Sequence, residues 1–124
     1  MKTIHTDKAP AAIGPYSQAI AAQGFIYTSG QIALNADTGV IEAETIEDQT
    51  EQAIQNLKAV LEAAGSDLAH VVKTTCFLQR MSDFAAFNSV YEKYFTGKPA
   101  RSCVEVSALP KGALVEVEAV AEKA

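Results

Sequence analysis

The last quarter of the chain carries residue types suited to binding and converting a small carboxylic acid. Arg101 stands at the start of one apparent strand, and Glu116 and Glu118 interrupt a second strand that is otherwise apolar. An arginine can hold a carboxylate through two parallel hydrogen bonds, and a glutamate in an apolar strand is unfavourable unless it is paired or used. If the two strands are neighbours, Arg101 would meet Glu116 in a pocket that binds a carboxylate beside an acid/base group.

These residues also have ordinary structural interpretations. Arg101 would be a rim arginine paired with a nearby glutamate, because ion pairs of this kind are often structural. Glu116 and Glu118 lie two positions apart among valines, which fits the polar face of an exposed strand. Spacing alone favours the structural role for Arg101, so the chemical interpretation needs further support.

Cys103 is the other reactive residue type near Arg101. No histidine lies close to it in the sequence, and a free cysteine in a strand is usually a small buried hydrophobe. A distant partner, His5 or His70, stays open, but we expect the Cys103 thiol to take no part in catalysis.

Smaller signals lie elsewhere in the chain. Ser29-Gly30 ends a strand, where a glycine marks either a close approach by a ligand or another chain, or a β-bulge. Tyr16 follows the rigid turn Gly14-Pro15, where an aromatic side chain is most commonly part of the core. Asn88 lies among apolar neighbours on a helix, where a cap or a hydrogen bond to a loop is the expected role.

Length, composition and charge limit the classes of protein. The 124 residues suit one domain, residues 1–124, with a single core. The formal net charge of −5 repels phosphate backbones, so we expect no nucleic-acid partner. No apolar stretch has the length of a signal peptide or a membrane span, which predicts a cytoplasmic protein without membrane association. The two cysteines and two histidines show neither metal-ligand spacing nor a disulfide framework.

Hydrophobic periodicity and turn residues predict the element order β-β-β-α-β-α-β-β. Thr45 caps the first helix and Gly65 stops it, whereas Ser82 caps the second helix, which ends at Gly97. The predicted strands cover residues 2–5, 16–22, 25–32, 71–78, 99–106 and 114–121.

The predicted sheet has more apolar surface than two helices can cover. Val72, Cys76 and Leu78 are expected to point to one face, and Val71 and Phe77 to the other. Because two helices cover only one face of such a sheet, the second apolar face needs another cover. Another copy of the chain is the simplest one, which predicts a homo-oligomer.

Motifs along nearly the whole chain resemble the Rid family of reactive-intermediate deaminases, also called YjgF-like proteins. Each segment is weak alone, but their order and spacing together are specific. The segments are Ala12-Ile13-Gly14-Pro15-Tyr16-Ser17-Gln18-Ala19, Tyr27-Thr28-Ser29-Gly30-Gln31-Ile32, Asn56-Leu57-Lys58, Glu62-Ala63-Ala64-Gly65, Val72-Lys73-Thr74-Thr75, Pro99-Ala100-Arg101-Ser102-Cys103-Val104-Glu105-Val106, Leu109-Pro110-Lys111-Gly112 and Val115-Glu116-Val117-Glu118-Ala119.

The resemblance implies an α+β fold like that of the trimeric chorismate mutases. This is a single-domain mixed β-sheet with two helices packed on one face, assembled as a homotrimer with clefts between subunits. The resemblance also implies a hydrolase that deaminates 2-imino acids such as 2-iminobutanoate and 2-iminopropanoate, which arise from the enamines 2-aminocrotonate and 2-aminoacrylate. The products are 2-keto acids and ammonia, and no cofactor is implied. Pyridoxal-phosphate enzymes acting on serine and threonine release such imines, so the implied role is the control of metabolite damage.

The family pattern also implies roles for single residues. The arginine that matches Arg101 holds the substrate carboxylate, and the glutamate that matches Glu116 orients the attacking water or relays protons. The residue that matches Cys103 acts mainly through its backbone. The cleft-lining positions match Tyr16, Ser29, Gly30, Asn88 and Cys103.

The chain departs from the family pattern at one position. Lys98 stands where the family commonly has an aromatic residue before Pro-Ala-Arg. This places a charge near the mouth of the cleft, so it bears on the side chain that the substrate carries and not on the core reaction.

Besides a chaperone-like surface activity, on which the sequence is silent, two other classes of function stay open. One is a non-enzymatic trimer that binds a keto acid and acts as a regulator. The other is an RNA-directed inhibitor of translation, a label that family members carry. The acidic composition and the lack of a basic patch disfavour the RNA-directed role.

Overall fold

The protein folds as one six-stranded β-sheet with two α-helices on one of its faces. The computed structural model describes residues 1–124. The strands are β1 (Lys2–Ile4), β2 (Ala19–Ala22), β3 (Phe25–Thr28), β4 (Val71–Leu78), β5 (Ala100–Glu105) and β6 (Val115–Glu122), and the helices are α1 (Ile46–Ala63) and α2 (Phe84–Tyr94). Their order in the chain confirms the predicted element order and the α+β class.

The strands form a mixed sheet in the order β1-β2-β3-β6-β4-β5. Only β4 and β5 run parallel, and every other neighbouring pair is antiparallel. The last two strands are not neighbours, so the condition under which Arg101 would meet Glu116 across a strand pair is not met, because β4 lies between β5 and β6. The segment β4-α2-β5 explains this order, since a helix between two strands carries the chain back to make a parallel pair.

The hairpin of β2 and β3 turns at Gln23 and Gly24, as predicted. Both residues have positive φ, 55° and 82°, which a two-residue type I′ turn requires. The strands themselves are shorter than predicted. The chain enters β2 only at Ala19, which leaves Tyr16 outside the sheet, and it leaves β3 after Thr28.

After β3 the chain touches the sheet again at one point. Gln31 and Val117 exchange two backbone hydrogen bonds of 2.8 and 3.0 Å, an isolated bridge to β6. Ser29 and Gly30, which lie between the end of β3 and this bridge, are therefore at the margin of the sheet instead of inside a strand. This margin carries Gly30, one of the candidate site residues.

The first helix begins and ends where the sequence predicts. The Thr45 hydroxyl accepts a 3.1 Å hydrogen bond from the backbone N–H of Asp48, which satisfies one free donor of the first turn. Gly65 follows the helix with φ 82°, the left-handed conformation common just beyond a helix end.

The second helix begins later than predicted. Ser82 does not cap it, because Ser82 lies within a short 3-10 turn, Met81–Asp83, and α2 starts at Phe84. The Glu105 carboxylate, at the end of β5, accepts a 2.7 Å hydrogen bond from the Met81 backbone N–H. This long-range contact fixes the entry to α2 and cannot be read from local capping patterns.

A bulge in β4 changes the faces of its first residues. The pairing of β4 with β6 shifts between Val71 and Lys73. As a result Val71 is buried and Val72 is exposed, so the prediction that Val72 shares a face with Cys76 and Leu78 is wrong. The later alternation holds, since Cys76 and Leu78 are both completely buried.

The hydrophobic core lies between the helices and the sheet. Leu57 and Val60 of α1, together with Phe87 of α2, are completely buried against the strands. We call the other side of the sheet the open face. The strands leave large apolar side chains exposed there, as predicted, and these are Phe25, Tyr27, Val72 and Val104.

Candidate active site

Arg101 lies on β5, at the edge of the sheet, and points toward α2. Its register partner on β4 is Thr74, which is completely buried beneath the helices. Residues paired across strands point to the same face. The Arg101 guanidinium donates a 2.7 Å hydrogen bond from Nη1 to the side-chain oxygen of Asn88. The side chain of Asn88 is therefore the hydrogen-bond partner of Arg101, instead of a helix cap or a partner of a loop.

No carboxylate pairs with Arg101. The ion pairs of the chain join His5 to Asp7 and His70 to Asp67. The interpretation of Arg101 as a rim arginine paired with a glutamate is therefore wrong for the single chain. A partly buried guanidinium with one hydrogen bond and no counter-ion is suited to receive an external anion.

The backbone beside Arg101 offers another donor. Val106 N–H donates a 2.9 Å hydrogen bond to Leu78 on β4. Because successive residues of a strand direct their N–H groups to alternate sides, Cys103 N–H points to the unpaired edge of β5. Arg101 and the Cys103 backbone thus lie along the same free edge.

The Cys103 thiol is not activated. Burial raises the pKa of Cys103, and the nearby Arg101 offsets only part of this effect. Burial likewise raises the pKa of Cys76 to about 12. Since the thiolate is the nucleophilic form, both thiols are protonated and weakly reactive at neutral pH. This agrees with the expectation that Cys103 contributes no thiol chemistry.

Glu116 belongs to a second cluster, together with Gly30 and Tyr16. The three line a cavity of about 390 Å³ at the margin of the open face. A side chain at Gly30 would overlap the Glu116 carboxylate. The close approach expected at Gly30 is therefore made by Glu116. The other residues that line the cavity are Pro10, Ala11, Ile13, Gln18, Gln31, Ile32, Leu34, Pro110 and Lys111.

Side-chain hydrogen bonds hold the loop that carries Tyr16. The Ser29 hydroxyl donates a 2.6 Å hydrogen bond to the Ser17 carbonyl. The Gln18 amide donates to the carbonyls of Thr6 and Pro10, at 3.0 and 2.8 Å. Tyr16 itself is 54% exposed, so the expectation that it belongs to the core is wrong.

Burial shapes the electrostatics of Glu116. It raises the pKa of the Glu116 carboxyl above its usual range, and the neighbouring charge of Glu118 raises it further. No hydrogen bond or cation stabilises the carboxylate within the chain. Glu116 is therefore a stronger proton acceptor than an exposed glutamate, as a general base requires.

Arg101 and Glu116 lie on opposite faces of the sheet. Arg101 pairs with Thr74, whereas Glu116 pairs with Phe77, three residues further along β4. Side chains that are an odd number of positions apart on a strand point to opposite faces of the sheet. The expected meeting of Arg101 and Glu116 within one pocket is therefore wrong for the single chain. The structure makes two clusters, Arg101–Asn88–Cys103 and Tyr16–Gly30–Glu116.

Sequence reasoning missed two contacts of Arg101. The guanidinium carbon lies 5.4 Å from the ring centre of Phe84 and 4.8 Å from that of Tyr91. In the sequence both residues belong to an aromatic stripe at helical spacing, a pattern that predicts core side chains. Their spacing from Asn88, four before and three after, puts all three on one face of α2, and this spacing is the signal that would have found them.

The structure contains neither a metal-binding cluster nor a membrane-spanning helix. No group of three or more histidine, cysteine or acidic side chains is arranged to hold a metal ion. Neither helix has the length and apolarity that crossing a membrane requires.

Comparison with known proteins places the chain in a family. The model of the family described as Endoribonuclease L-PSP matches residues 6–123. The chain belongs to this family. A RutC family protein of Synechocystis is 55% identical over 98% of this chain and 95% of its own length. The resemblance to Rid, or YjgF-like, proteins is confirmed, since the crystal structure of the YjgF gene product from E. coli shares 46% sequence identity, covers 100% of both chains and has a TM-score of 0.94.

Two other similar proteins are informative because the name of one states an activity and the structure of the other contains a bound amino acid. The 2-iminobutanoate/2-iminopropanoate deaminase of Salmonella typhimurium is 48% identical over 97% of this chain and 96% of its own. The crystal structure of E. coli TdcF with bound serine is 40% identical, covers 100% of both chains and superposes with a TM-score of 0.94. The single-domain fold is thus shared with solved members of the family.

Proposed function

We propose that this protein hydrolyses 2-imino acids and their enamine tautomers to 2-keto acids and ammonia. The observation that carries the proposal is the partly buried Arg101, which has one hydrogen bond and no carboxylate partner in the chain. The deaminase name of the Salmonella relative and the serine bound to TdcF support a substrate of amino-acid size with a carboxylate.

Substrate binding is assigned to the edge of β5. The Arg101 guanidinium forms two parallel hydrogen bonds to the substrate carboxylate, and the Cys103 backbone N–H adds a third donor. Asn88 holds one guanidinium nitrogen in place. This cluster fixes the position of C2 without taking part in bond changes.

Hydrolysis is assigned to Glu116. Its carboxylate accepts a proton as a water oxygen attacks C2 of the imine, and the imine electron pair moves to nitrogen. Glu116 then gives this proton to the amino group of the tetrahedral intermediate. Ionised again, it accepts the hydroxyl proton of the intermediate as the C–N bond breaks, so that ammonia leaves and the keto acid forms. A protonated imine carbon is already electrophilic, so this chemistry requires no nucleophile from the protein. An enamine must first gain a proton at its β carbon.

We further propose that two copies of the chain share each site. Arg101 and Glu116 lie on opposite faces, so a pocket that contains both needs Arg101 from one copy and Glu116 from another. The exposed Phe25, Tyr27 and Val104 give the open face an apolar surface that a second copy can cover. The number of copies, three, is inferred from the Rid resemblance. The cytoplasmic location stays a prediction from the sequence.

A coupled assay tests the deaminase function. Threonine dehydratase releases the imine and enamine of 2-ketobutyrate, and the protein is expected to raise the initial rate of ketobutyrate formation. Semicarbazide reacts faster with the free imine than with the keto acid, and both give the same semicarbazone. The protein is therefore also expected to lower the initial rate of semicarbazone formation. If folded protein changes neither quantity, the deaminase proposal is wrong. Binding of 2-ketobutyrate in that case would favour the regulatory trimer.

The dependence of rate on pH tests the role of Glu116. The carboxylate must be ionised to accept a proton, and its pKa is raised, so kcat/KM is expected to fall on acidification at a higher pH than the usual value for glutamate. Glu118→Gln removes a repelling charge, and the fall should then begin at lower pH. Glu122→Gln, at the exposed end of β6, is the control. A profile that Glu118→Gln leaves unmoved would contradict the assignment.

The family description also names an endoribonuclease. A net charge of −5 disfavours binding to a phosphate backbone, and neither cluster contains the several cations that phosphate contacts need. RNA incubated with the purified protein is therefore expected to remain intact.

A further inference from the structure

The guanidinium of Arg101 is supported mainly by aromatic rings. Its single protein hydrogen bond, to Asn88, engages one of its five donors. One hydrogen bond leaves a long side chain free to change rotamer, and arginine loses much conformational entropy when it is ordered. Other contacts must therefore set the directions of the remaining N–H donors. The rings of Phe84 and Tyr91 both lie at cation–π distances from the guanidinium.

We propose that Tyr91 and Phe84 are positioning residues that fix the plane of the Arg101 guanidinium. The inference rests on the proposed function, because the plane matters only if the arginine receives a carboxylate through two parallel bonds. A guanidinium that lies against aromatic faces keeps its N–H groups in the plane of the fork and directed away from the rings. Tyr91 and Phe84 thus determine where the substrate carboxylate is held.

Tyr91 is itself held from the strand that pairs with Arg101. Its hydroxyl forms a 2.7 Å hydrogen bond with the hydroxyl of Thr74, and Thr74 is the register partner of Arg101. One position of β4 therefore fixes both the backbone of the arginine and the ring against its head group. One strand pairing, one hydrogen bond and one cation–π contact thus link the three residues Thr74, Tyr91 and Arg101.

Two aromatic side chains, one on α2 and one just beyond its end, restrain the Tyr91 ring further. The ring of Phe95 stacks on Tyr91 with centroids 4.4 Å apart and an interplanar angle of 27°. The ring of Phe87 is tilted by 42° relative to Tyr91, with centroids 5.5 Å apart. Phe84 lies at the first residue of the helix and is only partly buried, so it can be replaced with less effect on the core.

The alternative is that these rings are only core residues that happen to lie near Arg101. Phe84→Leu separates the two explanations, since leucine keeps an apolar side chain but provides no ring face. Tyr94→Leu is the matched control, because Tyr94 is also a partly buried aromatic residue of α2 and makes no contact with Arg101. Both variants should lose similar stability.

The experiment combines kinetics, binding and NMR on the assembled protein. For Phe84→Leu we expect KM for the imine, and Kd for 2-ketobutyrate, to rise about 2- to 10-fold while kcat changes less. In nitrogen-15 spectra the separate Nη signals of Arg101 should merge as the guanidinium begins to rotate. Tyr91→Phe, which keeps the ring and loses the Thr74 bond, should show a smaller change in the same direction. Tyr94→Leu should match wild type in all three readouts.

The outcomes separate this inference from the proposed function. If wild type is active and Phe84→Leu equals it in KM, Kd and Nη signals, the positioning role is overturned and the deaminase stands. If Tyr94→Leu raises KM as much as Phe84→Leu does, the effect is one of general packing and the inference also fails. If wild type neither hydrolyses imines nor binds 2-ketobutyrate, the proposed function fails, while the Nη signals still decide whether the rings hold Arg101.

Discussion

Replacing Arg101 with alanine is expected to lower kcat/KM for the imine about 30-fold to several thousand-fold while the fold stays intact. Removing one partner of a desolvated, hydrogen-bonded charge pair costs about 2–5 kcal/mol, and each 1.36 kcal/mol is tenfold in rate. The fold should survive because Arg101 forms no ion pair with its own chain. Steady-state kinetics in the coupled assay, with circular dichroism to check folding, give both quantities.

Two companion variants define what the arginine supplies. Arg101→Lys should recover little activity, because an ammonium keeps the charge but lacks the planar fork. Lys93→Ala, which removes an exposed cation from the last turn of α2, should keep wild-type kinetics. Wild-type rates in Arg101→Lys would mean that Arg101 acts only as a diffuse positive charge, and unchanged rates in Arg101→Ala would exclude it from the site.

Local patterns account for the parts of the fold that the sequence predicts well. The β2–β3 turn follows from Gln23-Gly24, because positive φ at two consecutive residues is the conformation of a tight two-residue turn. The start of α1 follows from one side-chain hydrogen bond, from the Asp48 backbone to Thr45. Each of these features depends on residues no more than four positions apart, so the local sequence contains the whole signal.

Long-range contacts explain the failures. Ser82 has the right chemistry for a cap, but Glu105, 24 residues from Met81, sets the turn before α2. Val72 faces away from Cys76 because β4 and β6 slip in register between Val71 and Lys73. Neither the partner of a turn nor the position of a bulge can be read from alternation along a single strand.

The candidate site follows the same division. Residue chemistry makes Arg101, Glu116 and Glu118 candidates, since a fork-shaped cation and glutamates among valines are conspicuous in the sequence. Only the family resemblance selects Arg101 and Glu116 and implies their roles. Their relative position depended on which strand separates them, and the strand order places β4 between β5 and β6. The aromatic support of Arg101 was missed because Phe84 and Tyr91 look like core residues in any helix.

The second large effect that we expect is the recovery of activity when two inactive variants assemble together. Arg101→Ala lacks the carboxylate clamp, and Glu116→Gln keeps its shape but cannot accept a proton, so each alone should have little activity. If every site takes Arg101 from one copy and Glu116 from another, co-expression of the two variants restores intact sites. Random mixing in equal amounts leaves about one quarter of the sites with both residues.

The result of this complementation experiment depends on both residues and on their sharing between copies. A site shared between copies predicts about one quarter of wild-type activity for the co-expressed mixture, and none when Arg101→Ala is mixed with the double variant Arg101→Ala/Glu116→Gln. If the mixture of the two single variants stays as inactive as its components, although mass spectrometry shows that both are present in the same assemblies, the shared site is contradicted.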